Sequence, residues 1–534
     1  MVCLRSSVFQ VNVFRVYVLC AALLMSGTTL ADALTVTTAE GTLRGVWTDE
    51  ARQIRAFRGV PYALPPTGER RWAPPEKVAP WQGTRPAEHF GAACPQHEAR
   101  DAFVWSRGDF RASEDCLVLN VWSPARGGQR KPVMVWFHGG AHTTGYAHAE
   151  IFEGTELAAH DVVVVTVNYR LGALGFLAHP ALGETSGNYG LMDKVAALEW
   201  VQRNIAAFGG DRENVTVFGQ SAGSQSVCAL MAAPSARGLF HKAIGQSAAC
   251  VLPPGEGDLA GLERGAALAE SALGATPVTA ESLRALPVER VLEAELASNW
   301  AARSRITVDG AFLPEHPSVT FSEGRQAPVP LMVGSLADEG EQLIPLMDGL
   351  SLEQLTGRLA RMFGEHGQAV LDAYAEQLKR SPAHLLREVL ADQFFALAMQ
   401  TWAEQQTRIG QPSYLYFMSH VPPAFKLYDP ADPNLNLPGG PRSGGAYHSG
   451  DLAFVFGNTR VVGTDMQEAD HTLSAAMTKY WIQFARTGNP NSDGAPAWAP
   501  YEPERKRTLV LDDPITMVDG VRNEKLKLIG QQPR

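Results

Sequence analysis

The sequence predicts an α/β fold with a central, mostly parallel, twisted sheet flanked by helices and large helical insertions over the strand ends. Three observations predict it. Residues 132–137, 162–167 and 215–218 are apolar runs without alternation, as expected of parallel strands buried on both faces. Between the second and third runs, residues 191–207 place Val195, Leu198, Val201 and Ile205 at helical spacing, and Gly209-Gly210 ends that helix. The third run leads straight into Gly219-Gln220-Ser221-Ala222-Gly223 and then the apolar helix of residues 224–231. Strand, five-residue turn and helix therefore follow one another without a linker.

The remaining elements read in order from the N-terminus. Arg5 and Arg15 flank a polar start, residues 16–25 are apolar but too few to span a bilayer, and Ala31-Asp32-Ala33 offers a small-x-small cleavage site. Residues 1–33 are expected to be a signal peptide, with 34–534 forming one elaborated domain without a stable membrane anchor. Residues 35–47 alternate around Glu40-Gly41 and predict a hairpin that opens the sheet. Later strands are expected at 242–246, 329–333, 414–418 and 509–511. Residues 255–300 and 351–410 are rich in Ala, Leu and Glu and predict helical insertions, and residues 467–486 predict a C-terminal helix.

Composition narrows the class further. A chain of 534 residues, 45% hydrophobic and 19% charged, has ample material for a large core. Its net charge of -10 argues against a nucleic-acid partner, which would ask for a basic face. Of six cysteines, Cys3 and Cys20 leave with the signal peptide, and export places the others in an oxidising compartment. Cys94 and Cys116 are expected to pair. Cys228, on the apolar helix after the turn, and Cys250, just after a strand, could form a second bridge, but free buried cysteines are the expected reading, because free cysteine behaves as a small hydrophobe.

The turn is where chemistry is expected. Glycines two residues before and two after Ser221 permit a strained strand-to-helix turn that lifts the serine oxygen above the sheet, the form of a nucleophile elbow. A serine nucleophile needs a base, an acid to orient that base, and donors for an oxyanion. Phe137-His138-Gly139-Gly140-Ala141 ends a strand and exposes bare backbone N–H groups suited to the last task. In this fold class the acid follows the serine in the chain, and Ala337-Asp338-Glu339-Gly340 comes just after an expected strand. The residues alone leave Asp338 and Glu339 open, with Asp309 a weaker competitor suited to a turn. Among fourteen histidines, His366, His384, His420, His448 and His471 lie after this position. His448 stands out because a glycine-rich loop, Gly444-Gly445-Ala446-Tyr447-His448-Ser449-Gly450-Asp451, carries it.

At this point the chain resembles the type-B carboxylesterase/lipase family, which includes the cholinesterases. The marks are Phe57-Arg58-Gly59-Val60-Pro61-Tyr62-Ala63, Ser113-Glu114-Asp115-Cys116-Leu117, Asn168-Tyr169-Arg170-Leu171-Gly172, Gly187-Asn188-Tyr189-Gly190, Phe208-Gly209-Gly210-Asp211 and the serine turn itself. They run in order over nearly the whole expected mature chain. The resemblance implies an α/β-hydrolase fold, hydrolysis of small-molecule esters through an acyl-enzyme on Ser221 without cofactor or metal, and a disulfide ending at Cys116. It selects Glu339 as the acid and His448 as the base, with the N–H groups of Gly140, Ala141 and Ala222 as oxyanion donors. Ser247 aligns with a family serine near the acid. The expected protein is thus a bacterial secreted or periplasmic serine carboxylesterase. The alternatives are a non-catalytic interaction protein, disfavoured by an intact Ser221, Glu339 and His448, and an amide or peptide hydrolase on the same fold.

Three departures bear on substrate. Gln220 stands where cholinesterases carry glutamate, and Arg85 falls where they keep a tryptophan for the choline cation. A quaternary ammonium prefers an aromatic face and a negative field, so choline esters are not expected as substrates. His142 replaces the residue that usually follows the oxyanion loop and is expected to line the substrate gorge, the alternative being contact with a substrate carboxylate.

Overall fold

The computed structural model describes residues 33–97, 110–126, 128, 130–183, 186–253, 261–274, 277–298, 300, 306–423, 442–461 and 466–531. The expected signal peptide therefore lies outside the described residues, apart from Ala33. Chain order gives strands β1 (Thr35–Thr37), β2 (Thr42–Arg44), β3 (Val46–Asp49), β4 (Ile54–Pro61), β5 (Thr84–Pro86), β6 (Val118–Pro124) and β7 (Lys131–Phe137). They continue as β8 (Val163–Val167), β9 (Gly210–Gln220), β10 (Lys242–Gln246), β11 (Leu331–Leu336), β12 (Ser413–Met418), β13 (Arg507–Leu511) and β14 (Thr516–Asp519).

Eleven of these strands form one sheet in the order β14-β13-β12-β11-β10-β9-β7-β8-β6-β4-β3. From β8 to β13 every neighbouring pair is parallel, whereas β3, β4, β6 and β14 pair antiparallel at the two edges. The three apolar runs fall at the parallel centre as β7, β8 and β9. Their side chains alternate between two cores: Val133, Val135, Phe137, Val215 and Val217 face one, Met134, Trp136, Val164 and Phe218 the other. Burying each such chain stabilises the fold by roughly 1.5–3 kcal/mol, which is why a strand apolar on both faces belongs inside the sheet.

Helices Tyr189–Asn204 and Ala222–Ala232 cover the first face, with Leu191, Leu198, Val227 and Leu230 in its core. The twenty-residue helix Glu468–Thr487 covers the second face through Leu473, Met477, Trp481 and Phe484. Among the described residues, no helix is long and apolar enough to cross a membrane. The insertion within residues 351–410 is helical as expected and builds a small core of its own around Leu355, Leu359, Phe363, Leu385 and Leu386, closed by Leu526 and Ile529 of the last helix. Its Ala391 and Phe395 also reach Ala248, just beyond β10.

Three expectations need correction. The hairpin at 35–47 forms, but β1 and β2 join β5 in a separate three-stranded sheet, and Trp47 belongs to β3 at the edge of the large one. The strand expected at 329–333 runs from Leu331 to Leu336, because Pro330 offers no N–H to a ladder. Cys228 and Cys250 are not free: they form a disulfide with the same separation of 22 residues as the expected Cys94–Cys116 bridge. The helix after the turn and the chain leaving β10 start from neighbouring parallel strands, so the two sulfurs meet although nothing local in the sequence links them.

Candidate active site

At the carboxyl end of β9 the backbone turns at Ser221, which has φ 55° and ψ −124° and begins the helix Ala222–Ala232. A left-handed φ on a non-glycine residue is costly and persists where surrounding packing enforces it. Here the turn leaves no room for side chains beside it. A Cβ on Gly219 would come within 2.5 Å of the Gly223 carbonyl carbon, and one on Gly223 within 2.0 Å of the Phe137 carbonyl oxygen. The Ser221 N–H donates to the Gln246 carbonyl at 2.8 Å, tying the turn to the end of β10.

The loop after β7 lies across this turn. Gly140, Ala141 and His142 have φ values of 103°, 51° and 57°, three consecutive residues in the left-handed region. The Gly140 carbonyl accepts from the N–H groups of Thr143 and Thr144, each at 2.9 Å, which closes the loop on itself. Beneath it the His138 ring stacks on Tyr169 at 4.4 Å, and the Tyr169 hydroxyl donates to the His138 carbonyl at 2.6 Å. Burial pushes His138 down to about 3, so this imidazole is neutral at physiological pH. The Lys194 ammonium sits 3.0 Å from the centre of the other residue in that stack, Tyr169, and burial holds it well below the ordinary lysine range.

The acid and the histidine come from two further loops. Glu339 follows β11, and its Oε1 accepts from the Leu336 N–H at 2.8 Å while its Oε2 lies 2.5 Å from His448 Nδ1. Both side chains are buried. The Nε2 of the same imidazole is 2.9 Å from the amide nitrogen of Gln220, the residue before the serine. Sequence order thus separates Ser221, Glu339 and His448 by more than a hundred residues each, and the fold gathers them at the carboxyl edge of the parallel strands. Phe395, from the insertion, lies against the His448 ring at 5.0 Å.

The neighbouring acids take other parts. Asp338 pairs with Tyr447 as an isolated bridge, and its Oδ2 accepts from the Ala446 N–H at 2.8 Å, so it holds the histidine loop. Asp309 accepts from Asn188 and from the Ala311 and Leu313 N–H groups, as a turn residue does. Asp451, in the same glycine-rich loop, joins the site without a role expected from sequence. It is buried beneath the loop, accepts from Gln246 at 2.8 Å and from Tyr416 at 3.1 Å, and burial raises it to about 6. Its spacing of three from His448 was the one available signal.

The other expected residues are also accounted for. His420 Nε2 lies 2.6 Å from Asp470, and His384 sits in the first turn of its helix, where the capping Ser381 hydroxyl accepts from its backbone N–H and lies 2.7 Å from its Nδ1. His471 is exposed. His142 is buried, with its ring 4.9 Å from that of Phe176. Arg85 is exposed on β5, with its guanidinium 4.2 Å from the Trp81 ring. Ser247 has φ 54° at the end of β10, and its buried hydroxyl makes no hydrogen bond among the described residues. No group of three or more potential metal ligands occurs among the described residues.

A serine on a left-handed strand-to-helix turn, at the carboxyl edge of a parallel sheet and beside a buried glutamate–histidine pair, defines the α/β-hydrolase class. The comparisons with known proteins carry this to a family. The Carboxylesterase family profile matches residues 32–529. The chain is 35% identical over 506 residues to the para-nitrobenzyl esterase of Bacillus subtilis (strain 168), covering 92% of this chain and 97% of that protein. It is 33% identical over 531 residues to carboxylesterase 4A of Bos taurus, covering 91% and 92%. A solved PNB esterase structure superposes with a TM-score of 0.79 at 32% identity over 93% of this chain and 99% of that one. This chain belongs to the carboxylesterase family and is a carboxylic ester hydrolase.

Proposed function

We propose that the protein is a serine carboxylesterase working through an acyl-enzyme on Ser221. The observation that carries this reading is the His448 imidazole, bound through Nδ1 to buried Glu339 and presenting Nε2 to the serine turn. His448 takes the proton of Ser221 as the hydroxyl attacks the ester carbonyl, and Glu339 fixes the ring and stabilises its positive form. The N–H groups of Gly140, Ala141 and Ala222 receive the oxyanion, each typically worth about 2.7–4 kcal/mol of barrier. Proton return expels the alcohol, and water then repeats the attack to release the acid.

The substrate is a small neutral ester. Gln220 brings a neutral amide to His448 where a cation would ask for a carboxylate. The chain is read as exported, with a mature N-terminus near Leu34 and residues 34–534 working as one elaborated domain; its two disulfides suit an oxidising compartment. Ser221→Ala is expected to abolish hydrolysis of a p-nitrophenyl ester while circular dichroism stays that of the parent. Turnover retained by this variant would end the assignment.

A further inference from the structure

The left-handed run Gly140-Ala141-His142 has to be held by something outside itself. Part of the support is local: the Gly172 N–H donates to the His142 carbonyl at 2.7 Å, and Tyr169 holds the carbonyl of His138. The far end of the loop is closed differently. Gly145, with φ 105°, folds back so tightly that a Cβ there would come within 2.8 Å of the Gly139 carbonyl oxygen and 2.5 Å of His138 Nδ1. Its own N–H and carbonyl therefore point away from the loop, and both meet one side chain. The Gly145 N–H donates to Gln96 Oε1 at 2.7 Å, and Gln96 Nε2 donates to the Gly145 carbonyl at 3.0 Å.

We propose that Gln96 is the positioning residue of the oxyanion loop: its primary amide pairs with both backbone groups of Gly145 and so fixes where the N–H groups of Gly140 and Ala141 point. The chemistry suits glutamine. A primary amide offers a donor and an acceptor side by side, as a neighbouring strand does, so two bonds set the rotation of the glycine as well as its distance. A carboxylate can only accept, and a hydroxyl carries its donor and acceptor on one atom rather than side by side. The same Nε2 also donates to the Cys94 carbonyl at 3.0 Å, which orients the amide before the loop meets it.

The segment bearing Gln96 is itself anchored. Cys94 is bridged to Cys116, and Asn168 donates to the Ala92 carbonyl at 2.8 Å while accepting from the Ala147 N–H at 2.7 Å. Next to Gln96, His97 Nε2 is 3.5 Å from the buried carboxylate of Glu295, which also accepts from the Ala173 N–H directly after Gly172. Residues 92–97 thus brace the loop at both ends, and the disulfide acts on catalysis through Gln96 although neither cysteine touches the serine turn.

The inference rests on the serine reading above, and the test separates the two. In the full chain, Gln96→Ala removes the amide and Gln96→Met removes it while filling the same space. For both, kcat on a p-nitrophenyl ester is expected to fall on the order of 10²-fold with KM changed by less than about twofold, because misplacing donors by a fraction of an ångström is felt only in the transition state. Sulfur accepts N–H hydrogen bonds poorly, so the rate advantage of an oxoester over its thionoester counterpart is expected to shrink about tenfold or more. Melting of the Met variant should stay near the parent, with no free thiol from Cys94 or Cys116. An unchanged kcat, a kcat loss that leaves the oxoester-to-thionoester ratio intact, or loss of the fold in both variants would each overturn the proposal. Failure of a fluorophosphonate to label Ser221 in the parent would instead count against the serine reading.

Discussion

The serine turn and the histidine loop meet at one imidazole, yet they are held by opposite means. Ser221 is placed by backbone sterics: two glycines without room for a Cβ, a positive φ, and a main-chain bond to Gln246. His448 is placed by carboxylates, three of them from other segments and Asp451 from its own loop. Asp338 pins Ala446, Glu339 takes Nδ1, Asp451 lies beneath, and Asp470 binds Arg442 at the start of the described loop. A turn fixed by shape is indifferent to pH and intolerant of added volume. A loop fixed by acids accepts volume more readily and answers to protons.

The sharpest way to break this contrast is Gly223→Ala. Its Cβ would stand 2.0 Å from the Phe137 carbonyl oxygen, where only backbone could give way. A destabilisation above about 4 kcal/mol is expected, read as a collapse in melting temperature or soluble yield. A variant that melts with the parent would show that the turn is not set by shape.

Asp451→Asn probes the other side. Burial raises this carboxyl from 3.8 to about 6, so between those values the native state binds a proton that the unfolded chain releases. Its contribution is therefore present below pH 3.8 and lost as pH rises through about 6. The asparagine variant lacks this loss and is expected to gain on the parent by roughly 2–3 kcal/mol across the window. Denaturation curves of both proteins from acid to neutral pH measure it; a constant offset would refute it.

The smallest effect lies where the two regions touch. Gln220→Glu sets a carboxylate beside His448 and is expected to improve kcat/KM for a thiocholine ester relative to a neutral thioester about fivefold, the equivalent of about 1 kcal/mol of screened attraction. No change in that ratio would remove Gln220 from the account of substrate charge.

The same contrast explains what could be read in the sequence. The parallel centre and the serine turn were legible because their signals are local: unbroken apolar runs at β7, β8 and β9, and glycines at fixed offsets around Ser221. The antiparallel strand β4 has only the family motif at Phe57–Ala63 to mark it, since a partly polar run such as Ile54–Pro61 lacks that signal. Glu339 and His448 needed the family resemblance to be chosen from neighbours, because the residues alone left Asp338 in play. The choice between free thiols and a bridge for Cys228 and Cys250, and the burial of Asp451, were not legible. Each depends on which segments the sheet order brings together, and no spacing along the chain encodes that meeting.

The anchoring of the histidine loop to Asp470 carries a consequence for timing. The proposed nucleophile, Ser221, is made less than halfway through synthesis, its proposed base arrives at residue 448, and the ion pair that steadies the loop waits for the helix Glu468–Thr487. β13 and β14, which close one edge of the sheet, come later still. A ribosome-bound chain therefore carries Ser221 through 227 further residues until His448 is made, so a product truncated within that span lacks the proposed base.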